Sequence, residues 1–209
     1  LAKLYPIAEC ALTHRDPFEL LVATILSAQC TDKKVNEVTP ELFNRWPSAA
    51  ALAAADQAAV EKVIHATGFF RAKAKNLRAM AQGLVDRHEG RVPRTLEELT
   101  ALAGVGRKTA LVVLGTAFKL ASGVVVDTHV ARLSKRLGLT SATDAVKVER
   151  DLLEVLPRKQ WVNFSHRMIM LGRQICIAQR PRCPICELRS ICPQVGVVKV
   201  DGSGVDLIK

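Results

Sequence analysis

The sequence predicts an all-α protein, on three observations. Helix-start signals recur along the 209 residues, apolar side chains recur at helical spacing, and strand-like runs are nearly absent. Hydrophobic residues make up 49% of the chain, with Ala, Leu and Val prominent, and only 4% of residues are aromatic, a balance that suits packed helices. The 24% share of charged residues completes a globular composition and argues against a disordered chain.

Each element has a local cause. Asp16-Pro17-Phe18-Glu19 supplies an N-cap, a first-turn proline and a reciprocal Glu ahead of the apolar run 20–28. A polar step through Gln29, Thr31 and Asp32 leads to a helix carrying Val35, Val38, Leu42 and Phe43. Pro47-Ser48 ends it and opens an Ala-rich helix, and Asp56 caps the next one, which Gly68 closes. Leu77, Met80, Ala81, Leu84 and Val85 give helical spacing to the stretch from Phe70 to His88, with Gly90 as its stop. Thr95-Leu96-Glu97-Glu98 is a second capping box, starting a short helix that ends near Leu102. Later helices are expected over about 144–155, stopped by Pro157, and about 160–176. Val124-Val125-Val126 is the best β-like run and is too short to found a sheet; the tail after Pro193 is expected to be irregular.

Charge and cysteine usage narrow the class. A formal net charge of +10 favours a polyanionic partner, because Lys and Arg gain affinity for nucleic acid by releasing counterions condensed on phosphates. A basic enzyme with an evenly charged surface is the alternative that charge alone leaves standing. No apolar run approaches the roughly 18 residues of a spanning helix. The first residues, Leu1-Ala2-Lys3-Leu4-Tyr5-Pro6, do not resemble a secretory signal, and a first residue other than Met is read as a sign of a trimmed chain. A cytoplasmic, reducing location is therefore expected, where six cysteines point to metal binding rather than disulfides.

Two chemistry-bearing stretches stand out. The first is Leu102-Ala103-Gly104-Val105-Gly106-Arg107-Lys108-Thr109-Ala110, between two expected helices. Two glycines one residue apart permit a tight turn and close backbone approach, and the helix starting near Gly106 or Arg107 presents unpaired N–H groups and its positive dipole end. That arrangement holds a phosphate without reading sequence, and the pattern resembles the helix-hairpin-helix DNA-binding element. Lys108 falls in the first helical turn, where the dipole lowers an amine pKa, and a neutral amine suits Schiff-base chemistry. By itself such a lysine is more often solvated or phosphate-binding. The second is Asp127, reached by 124–126 and followed by the helical spacing Val130, Leu133, Leu137. It reads as an N-cap, a position that also keeps a carboxylate ionised and able to stabilise a developing cation.

Cys176, Cys183, Cys186 and Cys192 form C-x6-C-x2-C-x5-C within 17 residues, a strong metal signature. The spacing differs from ferredoxin runs, so ligand rules leave zinc and an iron–sulfur cluster about even. Arg180 and Arg182 lie between the first two ligands, on a loop that a metal would stiffen and that could face phosphate. Cys10 and Cys30, outside this set, read as small buried hydrophobes.

Together the hairpin with Lys108, Val126-Asp127-Thr128-His129 and the cysteine tail resemble the endonuclease III family. The likeness runs from about Leu20 to Pro193 and takes in Leu26-Ser27-Ala28-Gln29 with Thr31-Asp32, and Gly68-Phe69 followed by Lys73 and Lys75. The resemblance implies a two-domain helix-hairpin-helix glycosylase fold with a central cleft. One domain is a six-helix unit over 10–119; the other joins 1–9 to 120–209 and holds a [4Fe-4S] cluster on the four cysteines. It implies a bifunctional DNA glycosylase and AP lyase acting on damaged or abasic double-stranded DNA, with oxidised pyrimidines as substrates. The damaged nucleotide is flipped out of the stack, Lys108 attacks C1′, Asp127 stabilises the cationic sugar, and β-elimination cuts the strand. By the same resemblance Gln29 fills the gap left by flipping, and Phe69 falls near a second wedge position. Ser27, Asp32 and His129 match polar positions around the pocket, His129 as a supporting hydrogen-bonding group, while Gly104, Gly106 and Arg107 contact DNA with Arg180 and Arg182. Ala103 departs from the proline usual at its place and Thr100 from an acidic residue found near the active site, which puts hairpin rigidity and lesion range in question. A same-fold glycosylase for pyrimidine dimers or mismatches and a non-catalytic DNA-binding module are the alternatives, with a zinc protein without a DNA role as a third. A monomer, associated with the nucleoid if bacterial, is the default assembly.

Overall fold

The computed structural model describes residues 1–197, 199–200 and 206–207. Among them the chain forms ten α-helices and divides into two compact units, one of Cys10–Ser122 and one joining Leu1–Glu9 to Gly123–Lys209. The all-helical expectation holds. The departure is in the tail, expected to be irregular, where Lys199–Val200 pairs antiparallel with Asp206–Leu207. Gly202 and Gly204 of that tail lie outside the described residues.

In the Cys10–Ser122 unit, α1 (Pro17–Leu26) is the central helix, with every residue from Phe18 to Leu26 buried. Asp16 caps it by accepting from Glu19 N at 2.9 Å, and the buried Glu19 carboxylate accepts in turn from Arg15 N and Nε, both at 2.7 Å. The N-cap and first-turn proline are as the sequence proposes, but Glu19 reaches back to Arg15, one residue before the N-cap, instead of to the N–H of Asp16 itself. Around α1 stand α2 (Asp32–Arg45), α3 (Ala49–Ala53), α4 (Gln57–Ile64), α5 (Phe70–His88), α6 (Leu96–Thr100) and α7 (Arg107–Thr116). The core they share centres on Leu20, Leu21, Leu26, Leu77, Met80, Leu84 and Leu114, all essentially inaccessible. Truncating any one of these to Ala costs about 2–5 kcal/mol through lost burial and the cavity left behind. α5 ends as expected at Gly90, whose N–H reaches back to Leu84 O at 2.9 Å with Glu89 and Gly90 both left-handed.

In the second unit, α8 (Thr128–Arg136), α9 (Ala145–Val155) and α10 (Trp161–Gln174) pack around Val130, Leu133, Val148, Leu152, Phe164, Met168 and Leu171. The first residues join this core through buried Tyr5, whose carbonyl accepts from Arg167 Nε at 3.0 Å. The helix expected over 160–176 is shorter, a 3-10 turn at Arg158–Gln160 leading into α10. Among the described residues no helix is long and apolar enough to cross a membrane.

Candidate functional site

The hairpin is seated on α5 at two points. Gly83 lets Leu102 lie close, since a Cβ at Gly83 would come within 3.1 Å of Leu102 Cδ2. Gly104 has φ +73, and a Cβ there would stand 3.0 Å from Asn76 Cβ, so glycine is needed for both conformation and space. Gly106 differs. It is the N-cap of α7 in extended backbone at φ −87, and a Cβ there would meet nothing within 4 Å. Nothing inside the protein requires glycine at 106, so its bareness leaves the backbone open to an outside group.

Seven helices have a side chain on their first N–H groups, from Asp16, Thr31, Ser48, Asp56, Thr95, Asp127 and Asp144. α7 has no such side-chain cap. α5 and α10 also start without one, but only α7 starts at a glycine, and the first turn of a helix without a side-chain cap can take an anion. Lys108 is exposed in this first turn, beside the exposed Arg107, while Ala110, Leu111, Val113 and Leu114 bury the following turns against α1 and α6. Ala103 is half-buried against the core. Thr100 turns its hydroxyl onto its own helix, donating to Leu96 O at 2.9 Å and Glu97 O at 3.1 Å.

The 17–122 region also carries the two expected DNA-parting side chains. Gln29 (φ 53) and Phe69 (φ 47) are non-glycine residues in the left-handed region, a conformation costing on the order of 1–2 kcal/mol each. Phe69 is 67% exposed, far outside the range of a core aromatic. Ser27 ends α1 and donates its hydroxyl to Thr24 O at 2.8 Å, and Asp32 is the first residue of α2. Sequence reasoning missed the group joining these loops. Lys73 is buried in the first turns of α5, and its Nζ donates to both Leu26 O and Thr67 O at 2.8 Å. Burial pushes its ammonium below the usual lysine range, with the Cys30 thiol opposing.

In the other unit Asp127 is half-buried and caps α8, its Oδ1 accepting from Val130 N at 2.8 Å. One face of α8 then carries His129, Arg132 and Arg136 toward the end of α10. Arg132 NH2 lies 3.2 Å from His129 Nδ1 and donates to Gly172 O at 3.2 Å and Cys176 O at 3.0 Å. Burial and the neighbouring Arg136 lower the Arg132 guanidinium, while Cys176 and Asp127 pull it back up. Gly172 makes room for this contact, since a Cβ there would fall 2.7 Å from His129 Nδ1.

Buried Arg136 donates to Ile177 O and Ala178 O at 2.7 Å and to Cys176 Sγ at 3.3 Å. Cys176, Cys183, Cys186 and Cys192 with Arg136 and Pro181 line one cavity of about 30 Å³, and none of the four thiols is in a disulfide. Burial pushes the Cys183 thiol up, and the other three thiols push it further, while Arg136 opposes them. Four sulfurs thus share one field. Among the described residues no group of three or more His, Cys, Asp or Glu side chains converges as a single-ion site. Arg180 (φ 49) and Arg182 are exposed on the loop between the first two cysteines. Sequence reasoning also missed Arg132 and Arg136, whose four-residue spacing puts them on one face of α8.

Residues 22–158 match the model of the HhH-GPD superfamily of base excision DNA repair proteins. A curated endonuclease III of Synechocystis sp. is 54% identical over 193 residues, 92% of this chain and 88% of that protein. Among solved structures, a non-covalent endonuclease III–DNA complex superposes with TM-score 0.87 at 45% identity, covering 92% of this chain and 90% of that one. A trapped endonuclease III–DNA covalent intermediate superposes equally well at 44% identity, over 92% of this chain and 91% of that chain.

Proposed function

The chain belongs to the endonuclease III family, base excision repair glycosylases and AP lyases for oxidised pyrimidines, and we propose that Lys108 is its nucleophile and Asp127 the acidic partner. The observation that carries this assignment is the uncapped start of α7, where bare Gly106 and exposed Lys108 sit together. Arg107 and the open N–H groups there, with Gly104 shaping the turn, hold the phosphate backbone of damaged duplex DNA. Arg180 and Arg182 add phosphate contacts from the cysteine loop.

The Lys108 amine nitrogen attacks C1′ of the flipped sugar as the damaged base departs with the C1′–N bond pair. Loss of the ring oxygen bond gives an iminium ion between Lys108 and C1′. Removal of a C2′ proton then expels the 3′ phosphate, cutting the strand by β-elimination. The Asp127 carboxylate, at the start of α8, stabilises the cationic sugar. His129, held by Arg132, and Ser27 and Asp32 supply polar surroundings. Gln29 and Phe69 part the stack and fill the space of the flipped nucleotide.

The four cysteines fit a [4Fe-4S] cluster. They line one cavity, with the buried Arg136 guanidinium beside Cys176 Sγ to offset thiolate charge, and four thiolates are the ligand set such a cluster takes. Such a cluster would tie the loop of Arg180 and Arg182 to the end of α10. The setting is the cytoplasm, on chromosomal DNA.

The deciding experiment is borohydride trapping on duplexes carrying thymine glycol or an abasic site. The protein is expected to be trapped on both, and Lys108→Ala on neither. Equal trapping by Lys108→Ala would remove Lys108 from the chemistry. Trapping on the abasic duplex alone would keep the lyase and exclude thymine glycol.

A further inference from the structure

Two loops of the Cys10–Ser122 unit present side chains in left-handed backbone, 27–30 with Gln29 and 67–69 with Phe69. They are far apart in sequence, and a single buried amine lies behind both. Lys73 Nζ donates to Leu26 O, three residues before Gln29, and to Thr67 O, two residues before Phe69. Its backbone N–H also donates to Phe69 O at 3.0 Å, so the Gly68-Phe69 turn is held on both sides by the same residue.

The acceptors are suited to this task. Leu26 is the last residue of α1 and Thr67 the last of the 3-10 turn at His65–Thr67. Carbonyls at such ends lack helical partners and carry the negative end of the helix dipole. Two such ends converge on one ammonium. Lys73 is only 5% exposed, so its ammonium is held out of solvent and depends on these two carbonyls.

We propose that Lys73 is a positioning residue that fixes the Gln29 loop relative to the Phe69 loop, so that both enter the duplex as one rigid wedge. The proposal rests on the role given above to Gln29 and Phe69. Insertion of two side chains at one flipped nucleotide needs both to arrive in register, and a loop displaced by about 1 Å can lose about a hundredfold in rate. Lys73 therefore matters when a paired base must be extruded, and little when the nucleotide is already unstacked.

The test compares the full chain with Lys73→Met, Gln29→Ala, Phe69→Ala and Lys73→Met/Phe69→Ala. Borohydride-trapping rates are measured on a thymine glycol paired with adenine in a duplex and on the same lesion in an unpaired bubble. Lys73→Met is expected to slow the duplex reaction about ten- to a hundredfold and the bubble reaction less than about threefold, with no further loss in the double variant. Lys73→Met slowed equally on both substrates would mark a general structural role and overturn the proposal, as would wild-type rates on both. If Gln29→Ala and Phe69→Ala themselves show no duplex-selective loss, the wedge assignment fails and the proposal falls with it. A selective loss in those two but not in Lys73→Met sinks the proposal alone. Should Lys73→Met not fold by circular dichroism, Lys73→Gln is scored by the same outcomes.

Discussion

The guanidinium of Arg136 donates to Cys176 Sγ at 3.3 Å while its remaining N–H groups hold the carbonyls of Ile177 and Ala178. One cation on α8 thus fixes the first cysteine and the two residues that follow it. Arg136→Met should leave these acceptors without donors and the sulfurs without a counter-charge. Retention of iron after a chelator challenge is expected to fall about 10- to 100-fold, with Arg136→Lys intermediate because an ammonium cannot span the same acceptors. Unchanged iron release in Arg136→Met would show that the cysteines hold their metal without this support.

The hairpin glycines should separate folding from DNA contact. Gly104→Ala meets both a left-handed φ and Asn76, and should cost about 1–2 kcal/mol in denaturant unfolding. Gly106→Ala meets no protein atom and should unfold within about 0.5 kcal/mol of the parent, yet bind duplex DNA more weakly at every salt concentration. Equal DNA binding by Gly106→Ala would mean that phosphate does not approach there.

Asp127 has a capping role and a proposed chemical one, and two substitutions divide them. Asn also caps, so Asp127→Asn should keep its stability while its base-release rate falls about 100- to 1000-fold with loss of the carboxylate charge. Asp127→Ala should lose about 1 kcal/mol of stability as well. Full activity in Asp127→Asn would assign the residue to the helix start alone.

Lys73 makes stability depend on pH with a definite sign. Because burial lowers its folded pKa below the unfolded 10.5, the unfolded chain holds more protons between those two values, and stability from this group rises with pH there. Below the folded pKa the burial cost is carried in full. The unfolding free energy of the parent minus that of Lys73→Met should therefore climb toward pH 10.5. A flat difference would show that Lys73 keeps its ordinary pKa, and a falling one that its pKa is raised.

Much of this was legible in the sequence because caps are local. Asp16, Asp56, Thr95 and Asp127 each accept from the backbone three residues on, and Gly68, Gly90 and Gly104 fall where φ is positive. The cysteine set was legible from spacing, although its surroundings were not. Arg136 looks like any basic residue in a last helical turn until α8 is placed beside Cys176. Lys73 reads as part of a basic run, since its acceptor Leu26 lies 47 residues away. The left-handed backbone at Gln29 and Phe69 carries no glycine to announce it. The short pairing of Lys199–Val200 with Asp206–Leu207 was likewise hidden by a valine–glycine stretch without periodicity.

The placement of Tyr5 beside Arg167 has a consequence for how the chain is made. The Cys10–Ser122 unit is continuous and can collapse as soon as it leaves the ribosome, whereas Leu1–Glu9 belongs to a core completed by Gly123–Lys209. At about 5–20 residues per second, those first nine residues wait on the order of ten seconds for their partners. A segment made before the Cys10–Ser122 unit thus reaches its native place only after that unit is finished.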